Sequence, residues 1–148
     1  MLRTALSVLV AAALLGLALP VVDDARVAHG DSQVRTQLDD LETAAADLRA
    51  TSDPAEPGTR GARIERTLRL PTESWGRAGI ERLHVPASAN GSVRWRVRGG
   101  ETRTRATTPP LIAPPDGLTI RERGRHRLRL ELQRHNGTAV VVVSRADV

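Results

Sequence analysis

The chain has 148 residues and a formal net charge of +5, with 22 basic residues that are all arginine and no cysteine. That length leaves room for one modest domain once an apolar start is set aside. The missing cysteine excludes a disulfide framework, a thiolate metal site and a cysteine nucleophile. The charge is unevenly spread, at +1 over residues 1–22, −4 over 23–50 and +8 over 51–148, which suggests electrostatics within the chain or toward a partner.

From Thr4 to Val22 there are nineteen residues without a charge, followed by Asp23 and Asp24. As a helix rising ~1.5 Å per residue this run spans close to the thickness of a bilayer's hydrocarbon core. Residues 1–22 therefore read as a transmembrane anchor or a signal. Cleavage after Ala18, with Gly16 and Ala18 as the small residues, is the rival reading; the apolar run continues past that point through Val22, which favours retention. Arg3 and the amino terminus on one flank, against the acidic pair on the other, place the N-terminus in the cytoplasm and the rest outside.

Residues 23–50 read as an amphipathic helix. Val34, Leu38, Leu41, Ala45 and Leu48 recur at spacings of four, three, four and three, which aligns them on one narrow seam. The seam either docks on the chain's own sheet or pairs with a protein partner; Asp39, Asp40, Glu42 and Asp47 are expected in solvent in both cases. A linker follows over residues 51–62, where "SDPAEPG" ends the helix.

Residues 63–148 alternate with period two in "ARIERTLRL", "IERLHV", "SVRWRVR", "ETRTRAT", "LTIRE", "HRLRLELQR" and "TAVVVVS", which predicts six or seven short antiparallel strands. Gly99–Gly100 and Asn136–Gly137 have the residue types of two-residue hairpin turns. The prolines of "TTPPLIAPP" make that stretch an edge or a loop. The expected fold class is α+β, a long transmembrane and amphipathic helix followed by a small antiparallel sheet or sandwich.

A two-residue turn at Gly99–Gly100 sets Val93, Trp95 and Val97 opposite Thr102, Thr104 and Ala106, and Arg94 and Arg96 opposite Arg103 and Arg105. Those four arginines form the candidate anion-binding site, because guanidinium groups suit phosphate, sulfate and carboxylate. The turn at Asn136–Gly137 sets Leu132 against Val141 and Leu130 against Val143, with Gln133 and Val140, and Glu131 and Val142, on the other face. Nucleic acid is disfavoured as a ligand, since Trp75 and Trp95 are the only aromatic side chains other than histidine and Trp95 points to the expected core.

His29, His84, His126 and His135 show no paired ligand spacing, and neither a metal nor any other cofactor is expected. His126 falls opposite Asp147 and near Ser144, an arrangement read as a frayed strand end rather than a triad. No enzymatic activity is expected. Asn90 in "NGS" and Asn136 in "NGT" fit the glycosylation acceptor pattern.

An apolar helix running into an amphipathic one, then a small β domain, resembles the layout of type IV pilins and pseudopilins, although Met1 to Thr4 form no leader ending in Gly and no Glu stands early in the apolar run. The stretches "MLRTALSVLVAAALLGLALPVVDDAR", "RTLRLPTESW", "WRVRGG" and "NGTAVVVVSR" also resemble a family of small membrane proteins of halophilic archaea with no known activity. The resemblance implies a membrane-anchored, extracytoplasmic structural or accessory protein of a pilus-like or secretion assembly. The alternative is an arginine-rich module that binds an anionic glycan, lipid headgroup or nucleic acid.

Overall fold

The protein's computed structural model describes residues 1–146. Helix α1 runs unbroken from Leu2 to Thr51, through Pro20. It stops where Ser52 turns extended and Pro54 and Pro57 deny the chain further helical hydrogen bonds. Eight strands follow: β1 (Arg63–Leu70), β2 (Ile80–Val85), β3 (Val93–Val97), β4 (Arg103–Arg105), β5 (Leu111–Ile112), β6 (Leu118–Ile120), β7 (Gly124–His135) and β8 (Thr138–Arg145).

The strands form two four-stranded sheets, ordered β1-β7-β8-β5 and β4-β3-β2-β6. Every pairing is antiparallel except β5 with β8. The expected α+β class therefore holds. The proline-flanked stretch supplies β5 as an edge strand, where the missing N–H groups of Pro109 and Pro110 disturb no ladder.

One apolar core joins the helix to both sheets. The seam of Val34, Leu38, Leu41, Ala45 and Leu48 is buried against β1 and β7 of one sheet and β3 of the other. Those five residues thus dock on the chain's own sheets, and the alternative of a partner along the seam has no free surface there. Apolar burial of this kind stabilises by roughly 25 cal/mol per Å², which makes the second half of α1 part of the domain. The first half is not: every residue from Met1 to Val22 is exposed. By length and composition this helix is apolar enough to cross a membrane.

The β7–β8 hairpin has the register expected from its turn, with Leu130 opposite Val143, Leu132 opposite Val141 and Gln133 opposite Val140. Asn136 and Gly137 both take positive φ, at 50° and 80°, the backbone a two-residue hairpin of this twist requires. Val140 is fully buried although it lies on the face opposite Val141, so β8 is covered on both sides.

The β3–β4 hairpin departs from expectation by one residue. Val93 lies opposite Arg105, Arg94 opposite Thr104 and Trp95 opposite Arg103. The Gly100 N–H bonds to the Val97 carbonyl at 3.0 Å, and Gly99 has φ +78°. The loop is therefore Arg98 to Gly100, three residues rather than two. A one-residue slip moves every side chain of the second strand to the other face, and Arg103 and Arg105 consequently lie on the face of Trp95 and Val93.

Candidate functional site

That slip divides the four arginines expected together. Arg105 on β4 reaches α1, where it pairs with Asp39 at 2.6 Å and with Glu42. Glu42 also accepts the Thr108 N–H at 3.0 Å. Arg103 comes within 3.9 Å of Asp31, which pairs with Arg35 one helical turn on at 2.9 Å and accepts the Trp95 indole N–H at 2.7 Å. Asp39 and Glu42, expected in solvent, are therefore counter-charges for the edge strand. Part of the acidic segment's charge meets the basic domain inside the molecule.

The other face of the second sheet holds a different set of cations. Strand order places β2 between β3 and β6, so His84 lies opposite both Arg94 and Thr119, and Arg82 opposite Arg96. Arg121 follows directly after β6, beyond the Ile120 that pairs with Leu83. Arg82, His84, Arg94, Thr102, Thr119 and Arg121 line a shallow depression of about 230 Å³.

Arg96 is engaged, with Glu81 at 3.3 Å and the Gly100 carbonyl at 2.9 Å. Among the described residues Arg82, Arg94 and Arg121 have no carboxylate within ion-pair distance. Like charges directly across strands are unfavourable, and here an arginine faces an arginine and another faces a histidine. Burial and then the neighbouring Arg94 and Arg82 hold the His84 imidazole below its ordinary pKa. Its Nδ1 is 2.9 Å from the Thr119 hydroxyl. The arrangement is a field of donors suited to planar or tetrahedral anions.

Of the arginines named from the sequence, Arg94 and Arg96 belong to this face and Arg103 and Arg105 do not. Arg82, His84 and Arg121 belong to it as well, outside the set expected from the sequence. Their outward direction is written in the alternation of "IERLHV" and "LTIRE"; what alternation lacks is the strand order that sets β2 between β3 and β6. The acceptor asparagines Asn90 and Asn136 are both exposed. His126 has its Nε2 2.7 Å from the Glu122 carbonyl, and its expected neighbour Asp147 lies outside the described residues.

A family model described as a domain of unknown function, DUF7311, matches residues 1–146, and the chain belongs to that family. No curated protein and no solved structure shows significant similarity to the chain.

Proposed function

We propose that this member of a family of unknown function is a single-pass membrane protein whose β domain stands outside the cytoplasm in a structural, non-catalytic role. The observation that carries the reading is the continuity of α1. One unbroken helix is wholly exposed and apolar in its first part and buried in the domain core in its second. A domain built around the helix that enters the bilayer is held at a fixed height and orientation, as a display or assembly subunit requires.

The orientation rests on Arg3 at one end of the apolar run and Asp23 and Asp24 at the other. The pilin-like layout supports membership of a pilus-like or secretion assembly, with the apolar half of α1 as the surface that meets other subunits. Protease treatment of intact cells should digest the β domain; a domain left untouched while lysed cells lose it overturns the orientation. Cysteines placed along residues 6–17 should cross-link copies into ladders if the protein assembles through this half, and a monomer at all positions rules that assembly out.

A second reading is favoured by the face of Arg82, Arg94 and Arg121. Three guanidinium groups without carboxylate partners among the described residues form a site for an anionic glycan. Neither tryptophan lines it, and no Phe or Tyr occurs in the chain, so the large stacking platforms of nucleic-acid-binding surfaces are not part of this face. Replacement of the three by Gln should abolish salt-sensitive binding to a sulfated polysaccharide column, and unchanged retention removes this face from consideration.

A further inference from the structure

Outside the apolar half of α1, Trp75 is the one large hydrophobic side chain that the fold leaves in solvent among the described residues, at 91% exposure. Every other large apolar group of the β domain among the described residues is at least partly packed, including Trp95 at 3%. Trp75 is held in place by a constrained loop. Ser74 and Arg77 exchange backbone hydrogen bonds at 2.9 and 3.3 Å, which leaves Trp75 and Gly76 at the tip of a tight turn. The Ile80 N–H closes the loop onto the Pro71 carbonyl at 2.9 Å.

This turn is tied to α1 just beyond its apolar run. The Ala78 N–H bonds to the Arg26 carbonyl at 2.9 Å, the Arg26 guanidinium donates to the Ser74 carbonyl at 3.1 Å, and His29 Nδ1 is 3.3 Å from the Gly76 carbonyl. Arg26 and His29 stand four and seven residues beyond Val22, about 6–10 Å farther along the helix axis. The headgroup layer on each side of a bilayer is roughly 5–8 Å deep. If the apolar half of α1 spans the core, the ties of Ala78 and Ser74 to Arg26 lie at the height of that layer and the tie of Gly76 to His29 just beyond its outer edge.

The charge around the turn fits the same surroundings. Arg26, Arg98 and Arg123 gather around Glu73 at 3.7, 3.0 and 3.9 Å. Arg77, next to the turn's tip, has no ion-pair partner among the described residues. An exposed indole beside arginines is the composition of a membrane interface, where the ring meets the upper acyl chains and the cations meet phosphate.

We propose that the loop of residues 71–79 seats Trp75 in the headgroup layer of the membrane that α1 enters, as a second contact that fixes the rotation and tilt of the β domain about its helix. The inference rests on the anchor reading of α1. Full-length protein reconstituted into phosphatidylcholine–phosphatidylglycerol vesicles and recovered by flotation provides the test, with tryptophan emission compared in plain lipid and in lipid brominated on the upper acyl chain. Emission should be quenched by the brominated lipid, and Trp75→Phe should still float but lose that quenching, leaving only the sheltered Trp95 signal. Flotation with unquenched emission, or quenching that persists in Trp75→Phe, overturns the seating and leaves the anchor standing. Failure to float overturns the anchor and the seating together.

Discussion

The indole N–H of Trp95 donates to Oδ1 of Asp31 at 2.7 Å, joining the centre of β3 to α1 in the interior of the domain. Asp31 is the one charged residue buried among those described, at 8% exposure. Its second oxygen meets Arg35 at 2.9 Å, with Arg103 at 3.9 Å. A buried carboxylate is tolerated only when its charge and lone pairs are satisfied, and here the partners come from both the helix and the second sheet. The contact makes the mutual position of helix and sheet specific where apolar packing alone is adaptable.

Asp31→Ala should therefore destabilise the fold by about 1–3 kcal/mol, since the Trp95 N–H is left buried without an acceptor. Trp95→Phe combined with Asp31→Ala should cost less than the two single changes added together. Chemical denaturation of the four proteins in a double-mutant cycle measures this coupling, and strict additivity contradicts it.

Gly30→Ala should also destabilise. A Cβ at Gly30 would lie 2.5 Å from the Ala78 carbonyl oxygen and 3.3 Å from a methyl of Val97. Alanine's better helix propensity gains at most about 1 kcal/mol, while overpacking at a backbone contact costs about 1–3 kcal/mol. A lowered midpoint in thermal unfolding is the expected outcome.

Arginine substitutions should separate by face. Arg105→Gln removes the partner of Asp39 and of the partly buried Glu42, so it should lower stability by about 1–2 kcal/mol while leaving retention on a sulfated polysaccharide column unchanged. Arg94→Gln should weaken retention with stability within about 0.5 kcal/mol of the parent. The reverse pattern assigns binding to the helix-facing arginines instead.

Two acid-sensitive contributions should be separable by pH. The folded-state pKa of His84 lies below its ordinary value through burial, Arg94 and Arg82. The unfolded chain thus binds the proton first, and the stability His84 contributes is complete above the ordinary histidine pKa and lost as pH falls through it toward the folded value. Glu131 is lowered chiefly by the Gly61 N–H, against the opposing effect of burial, with Gln133, Arg63 and Arg129 assisting. Its contribution is complete above the ordinary carboxylate range and is lost at lower pH, through the folded value. Unfolding free energy against pH for His84→Gln should lose the upper step alone, and for Glu131→Gln should show a reduced lower step, to which Glu122, lowered chiefly by backbone hydrogen bonds, also contributes.

Removal of residues 1–22 should leave a folded, monomeric, water-soluble domain, because none of those side chains is buried in it. Circular dichroism and gel filtration of residues 23–148 check this, and an aggregated or unfolded fragment would show that the apolar half supports the domain.

How much of this was legible in the sequence differs between the two hairpins. At Asn136–Gly137 the two-residue turn requires positive φ at two successive positions and Asn and Gly are the types that accept it at low cost, so the turn sets the β7–β8 register locally. Gly99–Gly100 permits more than one loop, because glycine accepts nearly any φ. The three-residue loop that forms lets Arg103 and Arg105 meet Asp31, Asp39 and Glu42, residues more than sixty positions earlier.

The sequence by itself determined the apolar run, the seam of Val34, Leu38, Leu41, Ala45 and Leu48, and the period of the strands, since each depends on neighbours within a few residues. Only the tertiary structure decided that the seam closes on the chain's own sheets. It alone set Arg94 beside His84 and Arg82, and split those groups from Arg103 and Arg105. Side-chain alternation tells which way a residue points but carries no label for the adjacent strand; that choice is made by non-local pairing and by charges on α1 that the β domain must satisfy.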